Sequence, residues 1–203
     1  MYIRELSLQN FRNYNYLHLK LHPGINVFVG DNAQGKTNIL ESVYLCATAR
    51  SHRTNQEKEV IQWAEKDSHI RLIIQKKTIE DQIDFHLDQR GKGVAINRIP
   101  IQKLGDLFGF LNVIMFSPED LQMIKRGPRE RRKFIDIELS QLDRMYYHAL
   151  SQYYKVLKQR NNLLKKFNKT SDATGLLSVW DEQITKYGKI IIDKRKDFID
   201  ILT

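Results

Sequence analysis

The stretch that most restricts how this chain can fold is Gly30-Asp31-Asn32-Ala33-Gln34-Gly35-Lys36-Thr37. It follows the apolar run Ile25-Asn26-Val27-Phe28-Val29, which reads as a buried strand, and it precedes a helical pattern. The spacing is Gly-x4-Gly-Lys-Thr, and each fixed position has a mechanical reason. The glycines let backbone N–H groups turn inward around a phosphate, as few side-chain-bearing residues could. Lys36 would reach the outer phosphates, and the Thr37 hydroxyl is offered to Mg²⁺. A helix opening at Gly35 points its positive end at the same anion. Residues 38–49 carry Ile39, Leu40, Val43, Tyr44 and Ala47 at one-face helical spacing with no glycine or proline, so strand, loop and helix stand in the required order.

A formal charge of +9 on 203 residues biases partners toward anions: nucleotide, nucleic acid or acidic lipid. One cysteine, Cys46, rules out a disulfide within the chain and suits a reducing compartment. No apolar run reaches membrane length and Met1 opens no signal-peptide pattern, so the expectation is a cytoplasmic protein with no membrane partner.

Before the loop, residues 1–21 predict a two-stranded ribbon, with Leu17, Leu19 and Leu21 alternating against Tyr16, His18 and Lys20. Its connection, Asn10-Phe11-Arg12-Asn13-Tyr14, is either a nucleotide border or a solvated turn. Arg50, His52 and Arg53, after the first helix, either complement that helix's dipole or contact phosphate. Residues 70–76, 82–87 and 94–96 predict an antiparallel meander, and 112–116 an interior strand. Ser117-Pro118-Glu119-Asp120 reads as a helix start.

Lys125, Arg126, Arg129, Arg131, Arg132 and Lys133 place six cations in nine residues at the opening of a long helix. There they oppose the helix dipole, so either a polyanion partner or a solvated surface with pairing to Glu130 and Asp136 accounts for them. From Ile135 a heptad pattern runs through Leu139, Leu142, Tyr146, Ala149, Tyr153, Val156, Arg160 and Leu163 to Phe167. It resumes at Leu177, Trp180, Ile184, Tyr187, Ile191, Lys194, Phe198 and Ile201. The expectation is two long helices folded back as an arm, the first unbroken and roughly 55 Å long. Arg160 and Lys194 on the seam either face the supporting domain or a partner, or snorkel to solvent.

A nucleotide hydrolase also needs a strand ending in an acid that serves Mg²⁺ and the attacking water. Ile190-Ile191-Ile192-Asp193 matches in composition but lies in the heptad register, which makes it helix seam. The pattern stops at Thr203 without a capping glycine or proline, so a chain that ends short of a complete head is expected.

Taken together, Asn10 to Tyr14, the loop through Asn38, Ser51-His52-Arg53-Thr54, Phe116-Ser117-Pro118-Glu119-Asp120-Leu121, Pro128, Arg131-Arg132 and Asp136 resemble the RecF family of bacterial recombination mediators, relatives of the SMC ATPase heads. The resemblance implies an α/β fold: a P-loop ABC-type half-head with a mixed sheet and antiparallel meander over residues 1–116, plus an antiparallel helical arm over 117–203. It implies ATP and Mg²⁺ at Gly30, Asp31, Asn32, Ala33, Gln34, Gly35, Lys36, Thr37 and Asn38, with Arg12 and Asn13 bordering the nucleotide and Thr37 as the metal ligand. It implies single-stranded and gapped duplex DNA as partners, RecR acting with RecO, an ATP-dependent homodimer of the full-length protein, and a role in repair, replication restart and the SOS response. Charge and position add Arg50, Arg53, Lys125, Arg126, Arg129, Arg131, Arg132 and Lys133 as DNA or interface residues.

Two positions depart from the family pattern, Ala33 and Arg126, each standing where glycine is usual. Because the family's acidic strand and signature segment come later than residue 203, no catalytic residue is assigned, and weak ATP binding or none, without turnover, is expected of this chain alone. The alternative is a non-enzymatic interaction module whose phosphate loop is idle.

Overall fold

The computed structural model describes residues 1–54, 56–117, 127–166 and 174–202, in two compact units, Met1–Met115 and Phe116–Thr203.

The first unit is a sheet with one helix against it. Strands β1 (Tyr2–Phe11), β2 (Tyr14–Lys20), β3 (Asp67–Lys76), β4 (Ile79–Asp88), β5 (Lys92–Ile96) and β6 (Ile99–Pro100) lie in the order β2-β1-β3-β4-β5-β6. Every pairing in that sheet is antiparallel. Alternation dictates the arrangement: Leu6 and Leu8 of β1, Ile70, Leu72 and Ile74 of β3, and Ile83, Phe85 and Leu87 of β4 all turn to one face and are buried. Asn10, at φ 51°, breaks the two-residue rhythm, and Phe11 joins them in the core. Helix α1 (Lys36–Thr48) covers that face with Ile39, Leu45, Cys46 and Ala47. Each large apolar side chain removed from water here contributes about 1.5–3 kcal/mol. Burial also pushes the Cys46 thiol well above its ordinary value, so it is an inert part of the core.

Two expected strands do not form. Residues 25–29 and 112–116 take no part in the sheet, and Ile25, Val27 and Val29 are 90, 75 and 88% exposed, as are Ile114 and Phe116 at 88 and 80%. An apolar run becomes a strand only where a neighbouring edge takes up its backbone groups, and the sheet, ordered β2-β1-β3-β4-β5-β6, includes neither segment.

The second unit is helical: α2 (Pro128–Leu142), α3 (Arg144–Lys166) and α4 (Thr174–Leu202). Leu139, Tyr146, Ala149, Val156 and Ile191 are buried on the predicted seam. Helices α3 and α4 run antiparallel, with Arg160 bonded to Asp181 at 2.5 Å near one end and Lys194 bonded to Asp143 at 2.9 Å near the other. The seam cations are therefore paired with acids within the unit. Ile191 and Asp193 lie within α4, as the heptad register requires.

The single long helix is corrected to two. Asp143 leaves the helical region at φ −136°, ψ 106°, and its Oδ1 accepts the N–H of Met145 at 2.8 Å and of Tyr146 at 3.2 Å. That is an N-cap, and it restarts the helix one residue after α2 ends. Leu142, assigned to the seam, is 65% exposed at this break.

Candidate phosphate-loop site

The loop between residue 29 and α1 is open to solvent, apart from buried Gly35 and half-buried Lys36. Lys36 Nζ curls back over it and donates to the carbonyls of Gly30 and Asp31, both at 2.7 Å, so one ammonium closes the loop into a ring. Gly35 is the N-cap of α1 at φ 95°. No side chain caps the helix and no acid stands in its first turn, so its positive end faces the loop unneutralised. A Cβ on Gly35 would lie 2.6 Å from both Asn13 Oδ1 and Tyr14 Oη, so any other residue there displaces these side chains and strains the backbone. Ala33 takes φ 65°, the left-handed region that glycine enters without cost.

The β1–β2 turn reaches this helix start. Arg12, itself at φ 54°, donates its backbone N–H to Val60 O at 2.8 Å and Nη1 to Glu59 O at 2.7 Å. Its Nε and Nη2 donate to the two carboxylate oxygens of Glu41 at 2.9 and 2.6 Å. Glu41, on α1, has no exposed side-chain surface, and Ser51 Oγ also donates to it at 2.5 Å. Burial alone would push this carboxyl up. The hydrogen bonds from Arg12 and Ser51 and the charges of Arg12 and Arg53 outweigh that and hold it below its ordinary value.

Arg53 Nη1 lies 3.6 Å from Glu41 Oε2 and donates to Asn38 Oδ1 at 2.8 Å, while Asn38 Nδ2 donates to Asn13 Oδ1 at 2.8 Å. Tyr14 Oη completes the links to the loop by donating to Gln34 O at 3.2 Å. Beside this network opens a cleft of about 350 Å³, lined by Arg12, Asn13, Asn38, Arg53 and Glu59 and by Ile61 and Trp63.

The structure thus brings Arg12, Asn13, Asn38 and Arg53 together at the start of the helix that carries Lys36 and Thr37. Arg50 is exposed outside the network. The C-terminal carbonyls of α1 receive their cation from Lys92 of β5, whose Nζ donates to Ala49 O at 2.9 Å, rather than from either arginine. Arg129, Arg131, Arg132 and Lys133 are exposed on the first turns of α2, whereas Lys125 and Arg126 lie outside the described residues, as does the expected helix start at 118–120. Asp136 does not serve that cluster: it accepts Arg195 Nη2 at 2.7 and 2.9 Å and the Tyr146 hydroxyl.

Sequence reading missed Glu41. The available signal was that it is the one charge between Lys36 and Arg50, in a helix whose other charge is Lys36 at its start. Trp63 was missed too, since nothing local distinguishes an indole that packs from one that does not. Among the described residues no group of three or more histidine, cysteine or acidic side chains could hold a metal. Thr37 and the ligand's own oxygens are what a divalent ion would find here. Among the described residues no helix is long and apolar enough to cross a membrane.

The family profile described as AAA domain matches residues 5–202. The DNA replication and repair protein RecF of Clostridium novyi (strain NT) is 51% identical over the whole of this chain, which covers 56% of that protein. The chain therefore spans little more than half the length of such a relative. A solved structure of the recombination mediator protein RecF-ATP in the RecFOR pathway matches with a TM-score of 0.94 and 34% identity, over 98% of this chain and 54% of that one. A Pyrococcus furiosus Smc head domain, bound to the C-terminal domain of ScpA, matches with a TM-score of 0.50 at 19% identity, over 98% of this chain and 58% of that one; it shares the ABC-type head fold. By a profile match that takes in nearly every residue, the chain belongs to the AAA domain family and is a homologue of the DNA replication and repair protein RecF.

Proposed function

We propose that this chain binds ATP with Mg²⁺ on residues 30–38 and acts as the nucleotide-binding part of a RecF-like recombination mediator. One observation carries the reading: Lys36 and the uncapped start of α1 converge on a solvent-open loop of the right spacing. Asn13 and Asn38 border the nucleotide from the helix side, Arg12 and Arg53 are steered by Glu41, and Thr37 ligates the ion. The exposed cations Arg129, Arg131, Arg132 and Lys133 of α2 are assigned to single-stranded and gapped DNA; Arg50, Lys125 and Arg126 carry the same assignment from their charge alone.

In the complete protein the head dimerises around ATP and works in the cytoplasm with RecO and RecR at single-strand gaps, in repair, replication restart and the SOS response. The similarity to RecF bound to ATP supports this. The apolar segments 25–29 and 112–116, which lie outside the sheet, are suited to join further strands, as an ABC-type head requires. Alone, the chain turns over no ATP.

Calorimetry with ATP and Mg²⁺ tests the reading: weak heat of binding is expected for the wild type and none for Lys36→Ala. Binding that survives in Lys36→Ala, or magnesium-dependent hydrolysis by the chain that Lys36→Ala abolishes, contradicts it.

A further inference from the structure

Tyr14 opens β2 and is registered across the hairpin with Phe11, so the sheet fixes where its side chain starts. The half-buried ring reaches from there to the phosphate loop. Its hydroxyl donates to Gln34 O at 3.2 Å, and a Cβ on Gly35 would lie 2.6 Å from the hydroxyl oxygen and 2.7 Å from Cζ. The phenol thus lies directly against the peptide that joins Gln34 to Gly35. Burial keeps the hydroxyl above its ordinary value, so it holds its proton and remains a donor at neutral pH.

What this contact fixes is a peptide plane. Two soft dihedrals, ψ of the exposed Gln34 and φ of Gly35, decide which way that plane faces, and Gly35 at φ 95° has the freedom of a residue without Cβ. A trans peptide points its C=O and its N–H in opposite directions, and none of the described peptides is cis. With the carbonyl turned to Tyr14, the Gly35 N–H is turned away from the hairpin, and among the described residues no protein group accepts it. On the other side of Gly35 the plane is set by the helix, because Gly35 O accepts the N–H groups of Asn38 and Ile39 at 2.8 and 3.2 Å. The Gln34–Gly35 plane has no such backbone hold, and a side chain supplies it.

We infer that Tyr14 is a positioning residue of the phosphate loop: its hydroxyl holds the Gln34 carbonyl outward so that the Gly35 N–H is presented to the bound phosphates. This rests on the nucleotide reading above, and the experiment separates the two. Tyr14→Phe removes the hydroxyl and keeps the ring. Gln34–Gly35 is the only glutamine–glycine pair in the sequence, so carbonyl-¹³C glutamine combined with ¹⁵N glycine isolates the Gly35 amide as a single NMR signal. In the wild type that signal should move downfield, saturably, with ATP and with inorganic tripolyphosphate, each with Mg²⁺, as the N–H takes up an anion. In Tyr14→Phe both ligands should bind about two- to tenfold more weakly and by the same factor, the worth of one hydrogen bond. The unliganded Gly35 signal should broaden or move as the plane samples both settings. Tyr16→Phe, which removes an exposed hydroxyl further along β2, should match the wild type in every readout.

Unchanged tripolyphosphate affinity in Tyr14→Phe overturns the positioning role alone, as does a loss confined to ATP, which puts Tyr14 against the nucleoside. An unliganded Gly35 signal identical in Tyr14→Phe and wild type overturns it too. A hydroxyl that only supports the fold lowers the melting temperature and leaves the Gly35 signal and both affinities at wild-type values, which is again a result against it. A wild-type chain that binds neither ligand removes the nucleotide reading and this inference with it.

Discussion

The guanidinium of Arg12 lies bidentate on the carboxylate of Glu41, with contacts of 2.9 and 2.6 Å between residues 29 positions apart in the chain. The pair ties the tip of the β1–β2 hairpin to the middle of α1. Glu41 is wholly buried and Arg12 is 18% exposed, so neither charge can be left alone cheaply. Glu41→Ala strands Arg12, and such a loss costs about 3–5 kcal/mol. Glu41→Gln keeps two acceptor or donor positions and should cost less. Urea unfolding of the two variants against wild type measures the order; an alanine variant within 1 kcal/mol of wild type, about the worth of an exposed pair, would show the network to be incidental.

The same carboxyl dictates a pH response. Its folded-state value lies below its ordinary one, so its contribution is full above the unfolded glutamate value, about 4.3, and is lost as pH falls through the folded value. The stability gap between wild type and Glu41→Gln should hold from neutral pH to the ordinary glutamate range and shrink below it. Denaturant midpoints over an acid series give the gap directly, and one that widens on acidification has the wrong sign.

The phosphate loop carries opposite strains at two positions. Ala33 occupies φ 65°, where a Cβ costs about 1 kcal/mol or slightly more, so Ala33→Gly should stabilise the chain by about 1 kcal/mol, less the entropy that glycine adds to the unfolded state. Gly35→Ala should do the reverse. Its Cβ meets Asn13 and Tyr14 at 2.6 Å in a backbone region disfavoured for alanine, at a cost of about 1–3 kcal/mol together with loss of ATP binding. Equal melting temperatures for the two variants would mean that the loop relaxes freely.

Asp143 joins two interactions in the helical unit, capping α3 through Oδ1 and taking Lys194 through Oδ2. Asp143→Ala should therefore destabilise by about 1–2 kcal/mol, whereas Asp143→Asn keeps the cap and loses only the ion pair. If asparagine and alanine lower the helical melting transition equally, the capping role is wrong.

What could be read from the sequence was what neighbours in the chain decide. The loop motif, the alternation of Ile83, Phe85 and Leu87, and the heptads around Tyr146 and Ile191 are local periodicities, and each reappears in the fold. Partners distant in the chain were not legible. Nothing near Glu41 announces Arg12, and an apolar run such as residues 25–29 says only that it could pair, not that a pairing edge is present. Asp143 shows a third case, in which one capping side chain outweighs a hydrophobic repeat that continues unbroken through it.

Arg131 and Arg132 are exposed in the first turns of α2, where their charge works against the helix dipole, and Asp136 is committed to Arg195 instead of to them. A stability argument thus leaves them unexplained, and a polyphosphate backbone explains them. Each phosphate contact adds about 0.9 to the slope of log affinity against log salt on duplex DNA. Changing both arginines to alanine should make that slope shallower by about one to two units. Changing Lys155 and Lys158, exposed on α3, removes the same charge from another place and should leave the slope nearly unaltered. If both double variants flatten the slope equally, net charge and not a localised surface governs binding, and the assignment of α2 as the DNA-facing element is lost.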